Sequence, residues 1–259
     1  MQYNLADMTP ENAAAVEPPP AGMGELARLT GVFFEPGKTF ADVAQRPSWF
    51  VPMLLTVLFG LIFCVVVGQR IGWDNIAQQQ MEKRMATMQP DQREQAMKQA
   101  DLTKKITQVS AYVIAVIGPA IGYLIAAAVL LGIVAGILSA PVKFKQVFAI
   151  MCYSGMVGVV AAVLTVVVIF LKKNPADFDI QHPLAFNAGA LMDPNGPNKF
   201  LFALASSLDV FSLWKILLIA VGLKAAAGKK LSFGGALFAV LLPWAVLVLI
   251  GATFSGMFG

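Results

Sequence analysis

Charged residues are scarce in this chain. Only 13% of its 259 residues are Asp, Glu, Lys or Arg, whereas soluble domains carry roughly a quarter. The apolar fraction is 58%, and the mean hydropathy is +0.70. A water-soluble core cannot hide that much apolar surface, so the composition predicts a membrane protein. The net charge of +4 is explained by basic loops and does not indicate a nucleic-acid partner.

Residues that carry enzymatic and metal chemistry are also few. The chain has one histidine, His182 in a polar loop, and two cysteines, Cys64 and Cys152, both in apolar runs. The three aspartates of the His182 loop lack the spacing of a calcium loop. The short motifs of zinc proteases, serine hydrolases, phosphate-binding loops and dinucleotide-binding helices are absent from the sequence. The sequence therefore predicts no enzyme, no cofactor and no metal site.

Five long apolar stretches predict an all-α fold, a polytopic five-helix transmembrane bundle that occupies residues 50–259. Each stretch is close to or above the roughly 20 residues that cross a bilayer core. The spans are expected at about 50–68, 117–138, 146–171, 204–224 and 233–256. In the second stretch, Pro119 is expected to separate an extension of the preceding helix from the crossing itself. A single tilted or kinked helix is the alternative.

Three segments outside the spans have their own compositions. Residues 1–24 are rich in Ala and Pro and predict a disordered tail. Residues 25–49 predict an amphipathic lead-in at the membrane interface, with a turn at Pro36–Gly37; a peripheral helix packed on the protein is the alternative. The polar insert 69–108 predicts an extramembrane helical hairpin that turns near Pro90. Its methionines either bind a partner or pack against each other.

Small residues recur every four positions in the second stretch, at Gly118, Gly122 and Ala126, and again at Ala128, Gly132, Gly136 and Ala140. Such faces let helix backbones approach closely in a membrane. They predict contact with a neighbouring span of the same chain, and a homo-oligomer is the alternative.

Loop charges predict the orientation. The short links Ser139–Lys145 and Lys224–Lys230 carry lysines and no acidic residue, so the positive-inside rule favours a cytoplasmic N-terminus. The basic residues of the long first loop, which would then be external, argue against this orientation.

Two charges lie inside the fourth apolar stretch, at Asp209 and Lys215. A charge at the bilayer centre costs roughly 2.5–3.5 kcal/mol on insertion scales. The two residues lie about 240° apart around a helix, so they cannot simply pair with each other. In one hypothesis, Phe200–Leu208 lies at the interface, Asp209 caps the true crossing and Lys215 snorkels. In the other, Asp209 is a proton or cation site of a small transporter or channel that also uses Lys215.

Two motifs in this order, beside five spans and a polar insert after the first, resemble a known family. The lead-in motif is Phe34–Glu35–Pro36–Gly37–Lys38–Thr39–Phe40, followed by Val43, Arg46, Pro47 and Trp49. The second motif is Leu208–Asp209–Val210–Phe211–Ser212–Leu213–Trp214, followed by Leu217 and Val221–Gly222–Leu223. Together they are similar to the Yip (Ypt-interacting-protein) superfamily of five-span membrane proteins, in its bacterial branch. The Asp-Leu-Tyr-Gly-Pro motif of the eukaryotic branch is absent, so binding of Rab-type GTPases is not implied.

The resemblance implies a compact bundle in the bacterial cytoplasmic membrane with its N-terminus in the cytoplasm. It further implies a non-catalytic adaptor or membrane organiser in contact with the lipid bilayer. A protein partner would dock on the lead-in or on the 69–108 hairpin. The candidate residues are Phe34, Pro36, Phe40, Pro47 and Trp49 in the lead-in and Asp209, Phe211, Trp214 and Lys215 in the fourth span.

Overall fold

The computed structural model describes residues 22–87, 89, 100–174, 178, 184–193 and 196–258. Most of the expected tail, the turn of the polar insert at Pro90 and the loop histidine His182 lie outside these residues. Within them the secondary structure is helical, apart from one isolated antiparallel bridge between Asn187 and Asp209. The all-α prediction is confirmed.

Helices make up most of the described chain. Those of the described residues are α1 Glu25–Phe34, α2 Pro36–Gln45, α3 Phe50–Arg70, α4 Trp73–Thr87, α5 Ala100–Leu131, α6 Phe144–Ser154, α7 Met156–Leu171, α8 Lys199–Ser207, α9 Val210–Ala227 and α10 Phe233–Phe258. A π-helical segment, Gly132–Ile137, extends α5, and 3-10 turns cover Ala188–Leu191 and Gly228–Lys230.

Five helical stretches of the described chain are long and apolar enough to cross a membrane. They are Phe50–Arg70, Lys104–Ile137, Phe144–Leu171, Val210–Lys230 and Phe233–Met257. Large apolar side chains such as Ile62, Ile125 and Leu247 are exposed along them, as expected of helices whose outer faces lie in lipid. The predicted five-span membrane bundle is therefore confirmed.

The second span does not divide at its proline. Helix α5 runs without interruption from Ala100 through Pro119, as in the alternative of a single helix. A proline is tolerated inside a membrane helix because neighbouring helices and local adjustments satisfy the freed backbone groups. Helix α4 lies against the start of α5: the rings of Trp73 and Tyr112 are 5.8 Å apart, and Asp74 forms an ion pair with Lys104.

The fourth span begins later than its hydropathy predicts. Residues 199–207 form the separate helix α8, which packs against α10, and the crossing helix α9 starts only at Val210. The third span also has a break, since α6 ends at Ser154 and α7 begins at Met156. At the junction a Cβ on Gly155 would lie 2.1 Å from the Tyr123 hydroxyl, so only glycine leaves room for that ring.

The glycines of the small-residue faces of the second span are open, whereas Ala126 and Ala140 pack in the core. A Cβ added at Gly122, Gly132 or Gly136 would meet no heavy atom within 4 Å. The prediction that these glycines contact a neighbouring span of the same chain is therefore wrong.

The lead-in packs on the bundle, as in the alternative to the interfacial prediction. Helix α2 lies along α9 and also contacts α6, and its buried Phe40 and Val43 belong to the main core of the bundle. The predicted turn at Pro36–Gly37 is wrong, because Pro36 is the first residue of α2. Proline suits that position since its fixed φ is helical and its missing N–H would have no partner there.

Gly222 on α9 lies between Ile150 of α6 and Phe40 of the lead-in. An added Cβ would lie 2.5 Å from Ile150 Cγ2 and 3.1 Å from Phe40 Cδ1. We expect Gly222→Ala to destabilise the protein by about 1–3 kcal/mol, because the core around it cannot give way. The matched control is Gly251→Ala on α10, where the new Cβ meets nothing within 4 Å. Urea unfolding in detergent, followed by tryptophan fluorescence, measures both; equal midpoints would contradict this packing.

Candidate functional site

The candidate residues fall into two regions, the docked lead-in and the start of the fourth span. In the lead-in, Phe40 is fully buried, whereas Phe34 is 84% exposed. Trp49 lies edge-on to Phe148 of α6, with ring centroids 5.7 Å apart. Pro47, in the link before α3, is half-buried.

A buried arginine, Arg28 on α1, holds the lead-in together. Only 4% of this residue is exposed. Its Nε donates to Asp42 Oδ2 of α2 over 2.7 Å, and a terminal guanidinium nitrogen donates to Ser48 Oγ, also over 2.7 Å. The other terminal nitrogen lies 2.6 Å from Asp42 Oδ2. The guanidinium thus joins α1, α2 and the link to the first span.

The hydrogen bonds around Arg28 extend to the third span through the carboxylate of Glu25. The Tyr153 hydroxyl of α6 donates to Glu25 Oε2 over 2.5 Å, and Ser48 Oγ donates to Glu25 Oε1 over 2.7 Å. Arg28 also approaches Glu25 Oε1 at 3.3 Å. We call these five residues, Glu25, Arg28, Asp42, Ser48 and Tyr153, the latch network. It ties segments that are up to 128 residues apart in sequence.

The electrostatics of Asp42 favour its charged form. Burial acts to raise the pKa of this carboxyl, but hydrogen bonds from Arg28, the Met23 amide and Arg46, with the charge of Arg28, lower it below its ordinary value. A lowered folded-state pKa contributes stability that is complete above the ordinary pKa and is lost as pH falls through the lowered one. Asp42 is therefore charged at neutral pH and remains available to Arg28.

The sequence interpretation did not include the latch network. One signal was present: Glu25, Arg28 and Val32 follow one another at helical spacing, so two charges share a face with residues that are buried. A second link from the lead-in, the edge-on contact of Phe33 with Trp214 at 5.5 Å, reaches the other candidate region.

Asp209 lies at the N-cap of α9. Its Oδ1 accepts the backbone N–H groups of Phe211 and Ser212, each over 2.9 Å. The bridge to Asn187 fixes the same point, because the Val210 amide donates to the Phe186 carbonyl over 3.1 Å. Phe186 also lies edge-on to Phe211, with centroids 6.0 Å apart. Cap, bridge and ring contact together explain why the crossing helix starts after Asp209.

A cavity of about 420 Å³ opens beside Asp209. Its described lining comes from the first span, the third span, the loop between the third and fourth spans, and the α8–α9 junction. The lining residues are Phe63, Ala161, Ala162, Thr165, Leu184, Phe186, Asn187, Ser206, Ser207, Asp209 and Phe211.

Lys215 lies elsewhere in the bundle. Its Nζ is 5.1 Å from the centre of the Tyr123 ring of the second span, a geometry in which the ring face attracts the cation. No ion pair joins Lys215 to Asp209, and Lys215 does not line the cavity. The two intramembrane charges therefore have separate surroundings.

The order of helices and both motifs lie within the match to a family model, the Yip1 domain, which covers residues 30–254. The chain belongs to the Yip1 domain family. Five apolar helices and a Yip1 domain make this an integral membrane protein of that family. Within the Yip1 domain lie Asp42, Ser48 and Tyr153 of the latch network, whereas Glu25 and Arg28 precede the matched region. Comparisons with curated proteins and with solved structures give no match.

Proposed function

We propose that this Yip1-domain protein is a non-catalytic membrane adaptor or organiser that presents the outer face of its lead-in to a protein partner. The observation that carries the proposal is the contrast between the two faces of α1 and α2. The inner face is fixed by the latch network and by Phe40. The outer face displays two large apolar side chains, Leu26 at 76% and Phe34 at 84% exposure.

The outer face has the composition of a recognition surface. Phe34 stands next to the exposed ion pair of Glu35 and Lys38. An exposed aromatic side chain with a charged rim is typical of a binding hot spot. Because the inner face is fixed, little conformational entropy is lost when a partner binds. The lysine-bearing links support a cytoplasmic position for this face, in a bacterial cytoplasmic membrane.

Deleting the lead-in would not test this function, because α2 contributes Phe40 and Val43 to the main core. We would instead place a photo-crosslinking amino acid at Lys38 in the full chain and compare wild type with Phe34→Ser in native membranes. We expect one partner to be captured from position 38 and lost with Phe34→Ser. The control position is Leu191, which is 92% exposed in the loop between the third and fourth spans. Capture that does not depend on Phe34 would contradict the proposal. So would capture of the same partner from position 191.

A second hypothesis, a small transporter or channel that uses Asp209 and Lys215, is favoured by the cavity beside Asp209. The separate surroundings of the two charges limit it to Asp209. Solute flux into proteoliposomes that is lost in Asp209→Ala would support transport. Full flux in that variant, or no flux in the wild type, would argue against transport and leave the adaptor as the proposed function.

A further inference from the structure

The cavity beside Asp209 has the size of a ligand site. Its volume of about 420 Å³ lies within the range of roughly 300–1,000 Å³ that is usual for small-molecule pockets. The cavity is formed where the first, third and fourth spans meet the loop that precedes α8. Because the crossing helix α9 begins at Val210, the cavity lies at one end of the fourth span.

One part of the lining is apolar and another part is polar. Phe63, Ala161, Ala162 and Phe211 supply the apolar part. The Thr165 and Ser207 hydroxyls donate to carbonyls of their own helices, each over 2.9 Å. The Asn187 side chain is also engaged, since it donates to the Leu184 carbonyl and accepts the Ala190 amide.

One polar group keeps binding capacity. Ser206 Oγ has no hydrogen-bond partner in the part of the chain that the structure describes, but it is enclosed against Gly189. The Asp209 carboxylate uses Oδ1 for the cap of α9, and the described residues offer no donor to its second oxygen. The Asp209 side chain is only partly buried, so a ligand that donates a charge-assisted hydrogen bond to its second oxygen would be stabilised here.

The described lining of the cavity carries a net negative charge. Asp209 is the one charged side chain among the described lining residues. The N-terminus of a helix contributes roughly half a positive elementary charge, which offsets only part of the carboxylate. An uncompensated carboxylate among apolar walls favours a cation and repels an anionic headgroup.

We propose that this cavity binds one amphiphile whose head carries an ammonium group. The hydrocarbon part packs against Phe63, Ala162 and Phe211, and the ammonium group donates to the free oxygen of Asp209. A phospholipid with an ethanolamine headgroup and a free alkylamine share this chemistry. Binding here does not depend on the adaptor function, which uses the lead-in.

Native mass spectrometry of the full chain in detergent tests the proposal, with phosphatidylethanolamine and phosphatidylglycerol of identical acyl chains as probes. We expect one ethanolamine lipid to bind about tenfold more tightly than the glycerol lipid, the effect of one charge-assisted hydrogen bond. Hexylamine distinguishes the ethanolamine lipid from a free alkylamine as the ligand. If hexylamine displaces the lipid, both kinds of molecule occupy the site. If hexylamine binds and the lipid does not, the ligand is a free amine.

Asp209→Asn separates the charge from the cap. Asparagine is as good an N-cap as aspartate, so this variant keeps α9 and loses only the charge. We expect it to bind the two lipids equally while its unfolding temperature is unchanged. Ala162→Phe fills the cavity and should abolish binding of both the ethanolamine lipid and hexylamine.

The matched control is Asp193→Asn, which removes a charge from the same loop outside the lining and should leave the lipid preference intact. Equal binding of the two lipids to wild type without any binding of hexylamine would overturn the proposal. So would a preference that survives in Asp209→Asn.

Discussion

Arg28→Met is expected to release the lead-in from the bundle. The guanidinium is the common donor of the latch network, and its side chain is only 5% exposed. Removing one member of a buried ion pair leaves an unpaired buried charge and costs about 3–5 kcal/mol. Here the charge left behind is Asp42, whose side chain is 11% exposed and which keeps its contacts with Arg46 and the Met23 amide, so we expect the lower end of this range. Opening of α1 and α2 should then become at least about a hundredfold more frequent.

Hydrogen exchange of the α1 and α2 amides measures this opening directly, with the α10 amides as an internal reference. Lys38→Met is the matched control, because it breaks an ion pair whose partners are 70% and 59% exposed. Exposed pairs contribute about 0–1 kcal/mol, so exchange in this variant should be close to wild type. The double variant Arg28→Met, Asp42→Asn should regain part of the protection, since it removes the stranded charge. Wild-type exchange in Arg28→Met would show that the latch network does not hold the lead-in.

The crossing helices could be predicted from sequence because hydropathy is a local property. A run such as Phe50–Gly68 holds 19 residues without a charge, and only a helix satisfies its backbone groups in lipid. Span boundaries were less predictable. Residues 200–208 are as apolar as the crossing that follows, and the break at Asp209 depends on the bridge to Asn187, which comes from another segment.

The latch network could not be predicted, because its bonds join distant segments. Tyr153 meets Glu25 across 128 residues, and Ser48 meets Arg28 across 20. Periodicity showed that α1 is amphipathic, but an amphipathic helix packs equally well on lipid headgroups or on a protein. Packing on the protein is favoured here by two residues on different spans. The Tyr153 hydroxyl binds Glu25, and Gly222 leaves space for Phe40.

The two phenylalanines of the lead-in motif should behave in opposite ways. Phe40 is fully buried beside Ile150 and Gly222, whereas Phe34, six residues earlier, is 84% exposed. We expect Phe40→Ala to destabilise the docked lead-in by about 3–5 kcal/mol, since it removes a buried ring and leaves a cavity among rigid neighbours. Phe34→Ala should change the stability by less than about 0.5 kcal/mol, as surface substitutions usually do.

Binding should show the reverse order. Phe34→Ala should weaken capture of a partner at position 38 while hydrogen exchange of α2 stays at the wild-type rate. Phe40→Ala should raise the hydrogen-exchange rate of α2. It should weaken partner capture only in proportion to the fraction of molecules whose lead-in has left the bundle. A variant that loses partner capture without faster hydrogen exchange of α2 affects recognition, whereas one that loses both affects folding. If Phe34→Ala raised the exchange of α2 as much as Phe40→Ala does, the outer face would be part of the fold and could not serve as the docking surface.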